Sequence, residues 1–536
     1  MCRTSQMARI LKGPKGKHTN VDYGNLGKYM HDAAQKYANN IFQIDADLDI
    51  KETYAQAHLR ARRLALSLKG HGLQKDDIIT ICSRNNLNNV IPLIAGLFLG
   101  AKIASIDPTL SLIDCKHCIN LVKPKFIFVE NTSVELIESS LDCIGCAPII
   151  VVIGKFDRHL SFDDLTKEHK DEATVKPVVF SSKETAFIFF SSGTTGLPKG
   201  ICCSHDAIFK TAINILDSDF MRSDVNFHLS TLYWITAVVC LMRTYIKGGQ
   251  RVFSSNPTPE EVLKLLDKYK VTSTLFPPIF LYSILEVPNL KKYNLESLYS
   301  ITFGGTPMTM ELIARMQDTF KHVKFQLAYG MTETSGSFTH FDFTRDKDIY
   351  LKKRMSSGKA AVDVEIKIVD IETRKLLPPN QNGEILVKPA SIPNGYHNNS
   401  EMSQHFDEEG FLKTGDVGYY DEDECIYIVD RIKEMFKYQV WHIVPNSIEQ
   451  VLMEHPAIKE AVVIGFPWGA DGEVPAACVV LKDDQLVSVE ELHKFVEERV
   501  ADRQRLRGGI NFVDSIPKTP SGKFQRRVIR EIYKKL

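Results

Sequence analysis

Five short runs of almost uninterrupted apolar residues limit what this chain can fold into: DIITIC (77–82), KFIFVE (125–130), PIIVVIG (148–154), TAFIFF (185–190) and YSITFGG (299–305). Each has the length of one strand and lacks the alternation of a sheet with one wet face. Such runs belong to strands covered on both sides. Longer helical stretches separate them, which predicts an α/β architecture. Several runs end in Gly, Ser or Thr, and ligands of such sheets bind beyond the carboxyl ends of the strands.

From about residue 360 the pattern shifts to shorter, partly alternating strands: VEIKIVD (364–370), GEILVKP (383–389) and CIYIVDR (425–431). These predict a small β subdomain. Beyond Arg431 an α/β pattern returns in miniature, with a helix at IEQVLMEH, strands at AVVIGF and AACVVLK, and a helix opened by Ser488 and Glu491 at capping-box spacing. Leu492, Phe495 and Val496 line one face of that helix. A chain of 536 residues exceeds one core. The division expected is a large domain over 1–430, a hinge at 431–433 and a small mobile α+β domain over 434–536.

Lys+Arg and Asp+Glu both number 66, so no global field draws the chain to nucleic acid or a membrane. No apolar run reaches the roughly 18 residues of a membrane span. The segment VIPLIAGLFLGA (90–101) stops at Lys102 and predicts a buried helix. The N-terminal MCRTSQMARILKGPKGK has no apolar core of a secretory signal, so an intracellular address is expected. Eleven cysteines then read as free thiols. Cys115-x-x-Cys118 and Cys143-x-x-Cys146 have the outline of a zinc site, but their gap is long and their contexts are apolar.

The stretch FIFFSSGTTGLPKG (187–200) runs from a strand into a loop of Ser, Thr and Gly ending at Lys199. Glycines let backbone N–H groups approach an anion, and each hydroxyl adds a donor. The spacing is not that of a Walker loop, since only two residues separate Gly193 from Gly196. A phosphate cradle and an ordinary polar βα turn both fit this stretch alone.

Four further stretches follow: FGGTP (303–307), AYGMTET (328–334), TGD (414–416) with DRIK (430–433), and PKTPSGK (517–523). In this order and at these separations, all five closely resemble the adenylate-forming superfamily of acyl-CoA synthetases, coumarate-CoA ligases and beetle luciferases. The luciferase-like fatty acyl-CoA synthetases are the nearest branch. The resemblance covers about residues 25 to 530. It implies that ATP activates a carboxylic acid to an acyl-adenylate, with Mg2+ as cofactor, before CoA takes the acyl group as a thioester.

The resemblance assigns roles by position. Ser191, Ser192, Gly193, Thr194, Thr195, Gly196 and Lys199 would hold the β- and γ-phosphates. Thr332 would donate to phosphate and Glu333 would bind Mg2+. The backbone of Gly304, Gly305 and Thr306, with Tyr329 and Gly330, would enclose adenine. Asp416 would accept from the ribose hydroxyls with Arg431 in support. Lys523 would bridge the acid and the α-phosphate. Lys433 matches the hinge on which the small domain swings between two poses, and Lys437 follows in the nucleotide-binding set.

Two departures qualify the expectation. Many relatives carry a histidine in an FHxxG-like stretch lining the acyl pocket, whereas this chain reads FHLSTLYWITAVV (227–239). Tyr233 and Trp234 stand at or beside that position with His228 upstream, predicting an aromatic, apolar wall suited to a fatty acid. Relatives usually read K-Y-x-G-[YF]-x-[VI]-x-P where this chain reads KYQVWHIVP (437–445). Val440 in place of glycine is expected to hinder CoA, unless Gln439, Trp441 and His442 compensate. A luciferase-like oxygenase and an adenylate-binding protein with impaired thioester formation remain open alternatives. The terminus Lys534-Lys535-Leu536 resembles the S-K-L signal read by the peroxisomal import receptor, leaving peroxisome and cytoplasm both open.

Overall fold

The computed structural model describes residues 7–17, 22–142, 144–191, 198–222, 224–305, 310–398, 404–439, 441–468, 472–518 and 522–534. Two large sheets dominate. A seven-stranded sheet has the order Lys199–Ser204, Thr185–Ser191, Lys102–Ile106, Ile78–Cys82, Phe126–Glu130, Ile149–Ile153, Leu160–Ser161. All its neighbours are parallel except the first pair. A nine-stranded sheet has a parallel centre formed by Lys324–Met331, Ser300–Gly304, Ser273–Phe276, Val225–His228, Gln250–Phe253 and Ile41–Asp45. The five apolar runs all become strands within these sheets.

Helices separate the sheets. Val90–Leu99 is buried at every position and ends at Gly100, whose left-handed φ of 82° stops the helix. With Leu26–Lys36, Tyr54–Gly70 and Ile235–Lys247 it shares a core that includes Ile79 and Phe187 of one sheet and Phe42 of the other. The outer face of the seven-stranded sheet is closed by Leu112–Val122 and Val134–Leu141. Cys115 and Cys118 lie there, buried beside Cys82 in an apolar cluster. Cys143 lies outside the described residues, among which no three His, Cys, Asp or Glu side chains gather as for a metal ion.

The β subdomain is larger than its three visible runs. It is a five-stranded antiparallel sheet in the order Leu11–Lys12, Glu365–Val369, Gly383–Lys388, Leu412–Tyr420, Ile426–Arg431. The TGD triplet, a turn by composition, lies inside the strand Leu412–Tyr420, with Gly415 at φ 72°.

The small C-terminal domain opens with a hairpin, Phe436–Tyr438 against Trp441–Ile443. The helix Pro445–Met453 follows, then the antiparallel pair Ile458–Pro467 and Glu473–Leu481, to which Ile510–Phe512 adds in parallel. Helix Val489–Glu497 begins where Ser488 accepts from the Glu491 N–H, and buries Leu492 and Val496 while Phe495 stays partly exposed. The domain is pinned to the β subdomain at Asn446, whose N–H donates to Asp430 and whose amide donates to the Val429 carbonyl, both at 3.0 Å. Among the described residues no helix is long and apolar enough to cross a membrane.

Candidate active site

The Ser/Thr/Gly loop closes an antiparallel hairpin, not a βα turn. Ser191 pairs with Lys199 across the hairpin mouth, and Ser192, Gly193, Thr194, Thr195 and Gly196 lie outside the described residues. His117 reaches the Pro198 carbonyl at 2.8 Å, and the Lys199 ammonium stands 4.9 Å from the centre of the Tyr396 ring. The mouth is thereby held from two separate elements.

The carboxyl ends of two adjacent strands in the nine-stranded sheet supply the next wall. Gly304 ends one strand and pairs with Ala328 on the next. A side chain at Gly304 would stand 2.5 Å from the Ala328 carbonyl oxygen, so glycine is demanded by the approach of two backbones. Gly305 has φ 88° and open space around it. Thr306 is outside the described residues.

Beyond Gly330 the chain makes a single 3-10 turn, Thr332–Thr334, before Gly336–His340 returns antiparallel. The Thr334 hydroxyl links the Met331 and Gly336 carbonyls at 2.9 and 2.7 Å, which closes the turn on itself. Beneath it, the Cys203 thiol lies 3.9 Å from the Thr332 carbonyl and 3.5 Å from the Ser335 hydroxyl. Glu333 is thus projected from a braced turn.

Asp416 is the centre of the cluster. Its Oδ2 accepts from the Tyr329 hydroxyl at 2.7 Å, and its Oδ1 lies 3.2 Å from the Arg431 Nε. Arg431 is its partner on the neighbouring strand. Phe338 packs on the Tyr329 ring at a centroid distance of 4.5 Å. Each carboxylate oxygen keeps a lone pair for a further donor.

Lys523 comes from the small domain and completes the set. Burial lowers its ammonium pKa below the ordinary lysine value, Arg431 adds to that, and Asp416 and Glu333 oppose it. Burial likewise raises the Glu333 and Asp416 carboxyls, while Arg431 and Lys523 hold them down. Two carboxyl groups and two basic groups thus act on one another electrostatically at the junction of the domains.

Other expected residues fall elsewhere. Lys433 is exposed in the turn after Arg431, and Lys437 is exposed with Glu372 4.0 Å away. Neither joins the quartet. Tyr233 is buried with Cys118 and Phe190 in the outer core of the seven-stranded sheet, while Trp234 is partly exposed at its edge. His228 is buried at the end of its strand, and desolvation holds its imidazole down at about 4. Val440 lies outside the described residues. Cys203 and Tyr396 had no local sequence signal, because each acts on a residue remote in the chain; Phe338 meets Tyr329 only through the return of the hairpin.

Comparison with known proteins gives the family. A family model for AMP-binding enzymes matches residues 30–397, and one for the AMP-binding enzyme C-terminal domain matches 447–523. The luciferin 4-monooxygenase of Luciola mingrelica is 32% identical over 531 residues, 95% of this chain and 94% of the relative. A 4-coumarate–CoA ligase of Petroselinum crispum is 31% identical, spanning 89% of this chain and 88% of its own. The solved structure of the luciferase-like enzyme from the nonluminescent mealworm Zophobas morio is 40% identical with a TM-score of 0.77, covering 80% of this chain and 100% of that one. That of o-succinylbenzoate CoA synthetase from Bacillus subtilis with its acyl-adenylate is 26% identical with a TM-score of 0.81, covering 94% and 97%. The matched models span most of both domains, and on that ground the chain belongs to the AMP-binding enzymes, the adenylate-forming superfamily.

Proposed function

We propose that this enzyme is an AMP-forming acyl-CoA synthetase acting on an apolar, fatty-type carboxylic acid. The observation that carries the reading is the meeting of Lys523 from the small domain with Glu333, Asp416 and Arg431 from the large one. Structural neighbours of this fold include CoA synthetases, which supports ligase chemistry.

In the first step a carboxylate oxygen attacks the α-phosphorus of ATP, and the bond to the bridging oxygen of the β-phosphate breaks. Two anions must approach, so positive charge is needed where the new bond forms. Lys523 is a compact cation on a long stem, with its pKa lowered there chiefly by burial. Asp416 accepts from the ribose hydroxyls, held in place by Tyr329 and Arg431. Ser191 and Lys199 carry the loop that takes the departing pyrophosphate. Mg2+ is commonly held by one or two carboxylates together with substrate phosphates. Glu333, a single carboxylate on a braced turn, fits that donor set; the ion would screen the phosphates. In the second step the CoA sulfur, having lost its proton, attacks the acyl carbon and AMP leaves. Lys433 lies at the hinge for the change of pose between steps, and Lys437 lies beyond it on the hairpin.

The test is a panel of carboxylic acids assayed for ATP- and acid-dependent pyrophosphate release, then for thioester. An acid that gives both establishes the reading; nucleotide binding with no turnover of any acid overturns it in favour of a binding protein. Similarity to luciferin 4-monooxygenases supports a second reading as a light-producing oxygenase. Incubation with ATP and luciferin decides that one by the presence of light. For address, a fluorescent fusion with a free natural C-terminus tests whether Lys534-Lys535-Leu536 directs peroxisomal import; Lys535 and Leu536 lie outside the described residues.

A further inference from the structure

The segment Leu229–Trp234 leaves the carboxyl end of the strand Val225–His228 in the nine-stranded sheet and enters the helix Ile235–Lys247. It is tied to the other large sheet. Asp107 follows the strand Lys102–Ile106 and is buried. Its Oδ1 accepts from the Thr109 N–H at 3.0 Å and from the Thr109 hydroxyl at 2.6 Å, and its Oδ2 accepts from the Thr231 hydroxyl at 2.9 Å. Asn85, also buried, follows the strand Ile78–Cys82. Its amide donates to the Leu229 and Ser230 carbonyls, both at 3.2 Å. The Asn89 amide donates to the Asn85 Oδ1 at 3.3 Å, which fixes which end of Asn85 faces the segment.

Three hydrogen bonds thus span two sheets and end on three consecutive residues, Leu229, Ser230 and Thr231. At the far end of the segment Tyr233 lies over Phe190, 6.5 Å between ring centres, one residue before the mouth of the Ser/Thr/Gly hairpin. The carboxyl ends that hold Gly304 and Tyr329 belong to the sheet the segment leaves. The segment therefore runs from the sheet that carries Gly304 and Tyr329 to the strand that leads into the hairpin. Buried bonds to a carboxylate are stronger than neutral ones and make such a connection rigid.

We propose that Asn85 and Asp107 are positioning residues, which hold Leu229–Thr231 as one wall of the acid site and set which acids it accepts. The proposal rests on the ligase reading for its substrate. The clamp itself rests on geometry alone.

Thr231→Val keeps the shape of the side chain and removes the hydroxyl. It should raise the KM for the preferred acid about tenfold and flatten the preference along a chain-length series, because small misplacements near reacting groups are costly. The KM for ATP should stay within about twofold. Thr231→Ser should restore both values, and Asn85→Ala should repeat the Thr231→Val pattern. Amide hydrogen exchange at 229–234 should quicken in the clamp variants, with protection elsewhere unchanged. Unchanged acid KM and chain-length preference in Thr231→Val overturn the assignment, as does rescue failing in Thr231→Ser. Absence of acid-dependent turnover in the unsubstituted protein overturns the ligase reading and the selectivity with it. In that case the amide exchange still reports whether the clamp orders the segment.

Discussion

The Tyr329 hydroxyl donates to Asp416 Oδ2 at 2.7 Å across 87 residues of chain, joining the last parallel strand of the nine-stranded sheet to the antiparallel β subdomain. Burial and the Asp416 charge together push the Tyr329 hydroxyl well above the ordinary tyrosine range, so it remains a donor at every working pH. Tyr329→Phe removes one bond to a charged acceptor and keeps the ring. Such bonds contribute about 1.5–3 kcal/mol. The expected outcome is ATP binding weakened by roughly tenfold with thermal stability lowered, measured by calorimetry; unchanged affinity would show that Asp416 needs only Arg431.

Lys523→Ala should lower acyl-adenylate formation by on the order of a hundredfold, as loss of an electrostatic donor in the transition state commonly does. Nucleotide affinity should barely change, since Asp416 and Tyr329 lie in the large domain. The ammonium must be charged to act and its pKa is lowered, so kcat/KM should fall as pH rises through a value below the lysine range of about 10.4. Lys523→Arg, which keeps its charge at any working pH, should be slower but lose that alkaline limb. A wild-type rate in Lys523→Ala ends the assigned role.

Glycines at the proposed nucleotide wall should differ in tolerance. A side chain at Gly330 would stand 2.4 Å from Ser337 Cα and one at Gly304 2.5 Å from the Ala328 oxygen, whereas Gly305 has nothing within 4 Å. Gly304→Ala and Gly330→Ala should each cost several kcal/mol by overpacking backbone against backbone. Gly305→Ala should cost about 1 kcal/mol from its positive φ alone. Denaturant midpoints give the order, and equal losses at all three would contradict it.

Acid should destabilise the large domain. His31 Nδ1 and His58 Nε2 lie 2.7 Å apart, both buried, and desolvation holds His58 down at about 3 and lowers His31. Unfolded histidines protonate near 6.5. Below that pH the unfolded chain binds more protons than the folded one, so stability is complete above it and falls as pH falls, by about 1.4 kcal/mol per pH unit for each histidine. His205, held at about 3, and His340, held at about 4, act in the same sense. His58→Gln should make the fall between about pH 6 and 5 shallower by close to one proton. The same slope in variant and natural protein would place the acid sensitivity elsewhere.

Val440 is tested through the second step alone. The hairpin pairs Tyr438 with Trp441, and Gln439 takes φ 52°. Val440→Gly should speed thioester formation relative to adenylation, since glycine admits close backbone approach. Thioester formation already as fast as adenylation, with no gain in the variant, would show that neighbouring residues compensate.

The apolar runs determined four strands of the seven-stranded sheet and one of the nine-stranded sheet, because a strand covered on both faces has no freedom to be polar. The spacing of SSGTTGLPKG, FGGTP, AYGMTET, TGD and SGK was enough to place the family, since each motif carries its chemistry within a few residues. Relations across the chain were not legible. TGD reads as a turn, and only pairing with strands on either side makes Thr414–Asp416 part of an antiparallel strand. Tyr233 reads as a pocket wall, yet it packs with Cys118 and Phe190 on the outer face of the seven-stranded sheet. The Asp107–Thr231 bond joins residues 124 apart that no local pattern connects. Local sequence specifies backbone conformation and the kind of side chain offered. The partner of a buried polar group is chosen only when the sheets pack, because desolvation then makes an unpaired polar group costly.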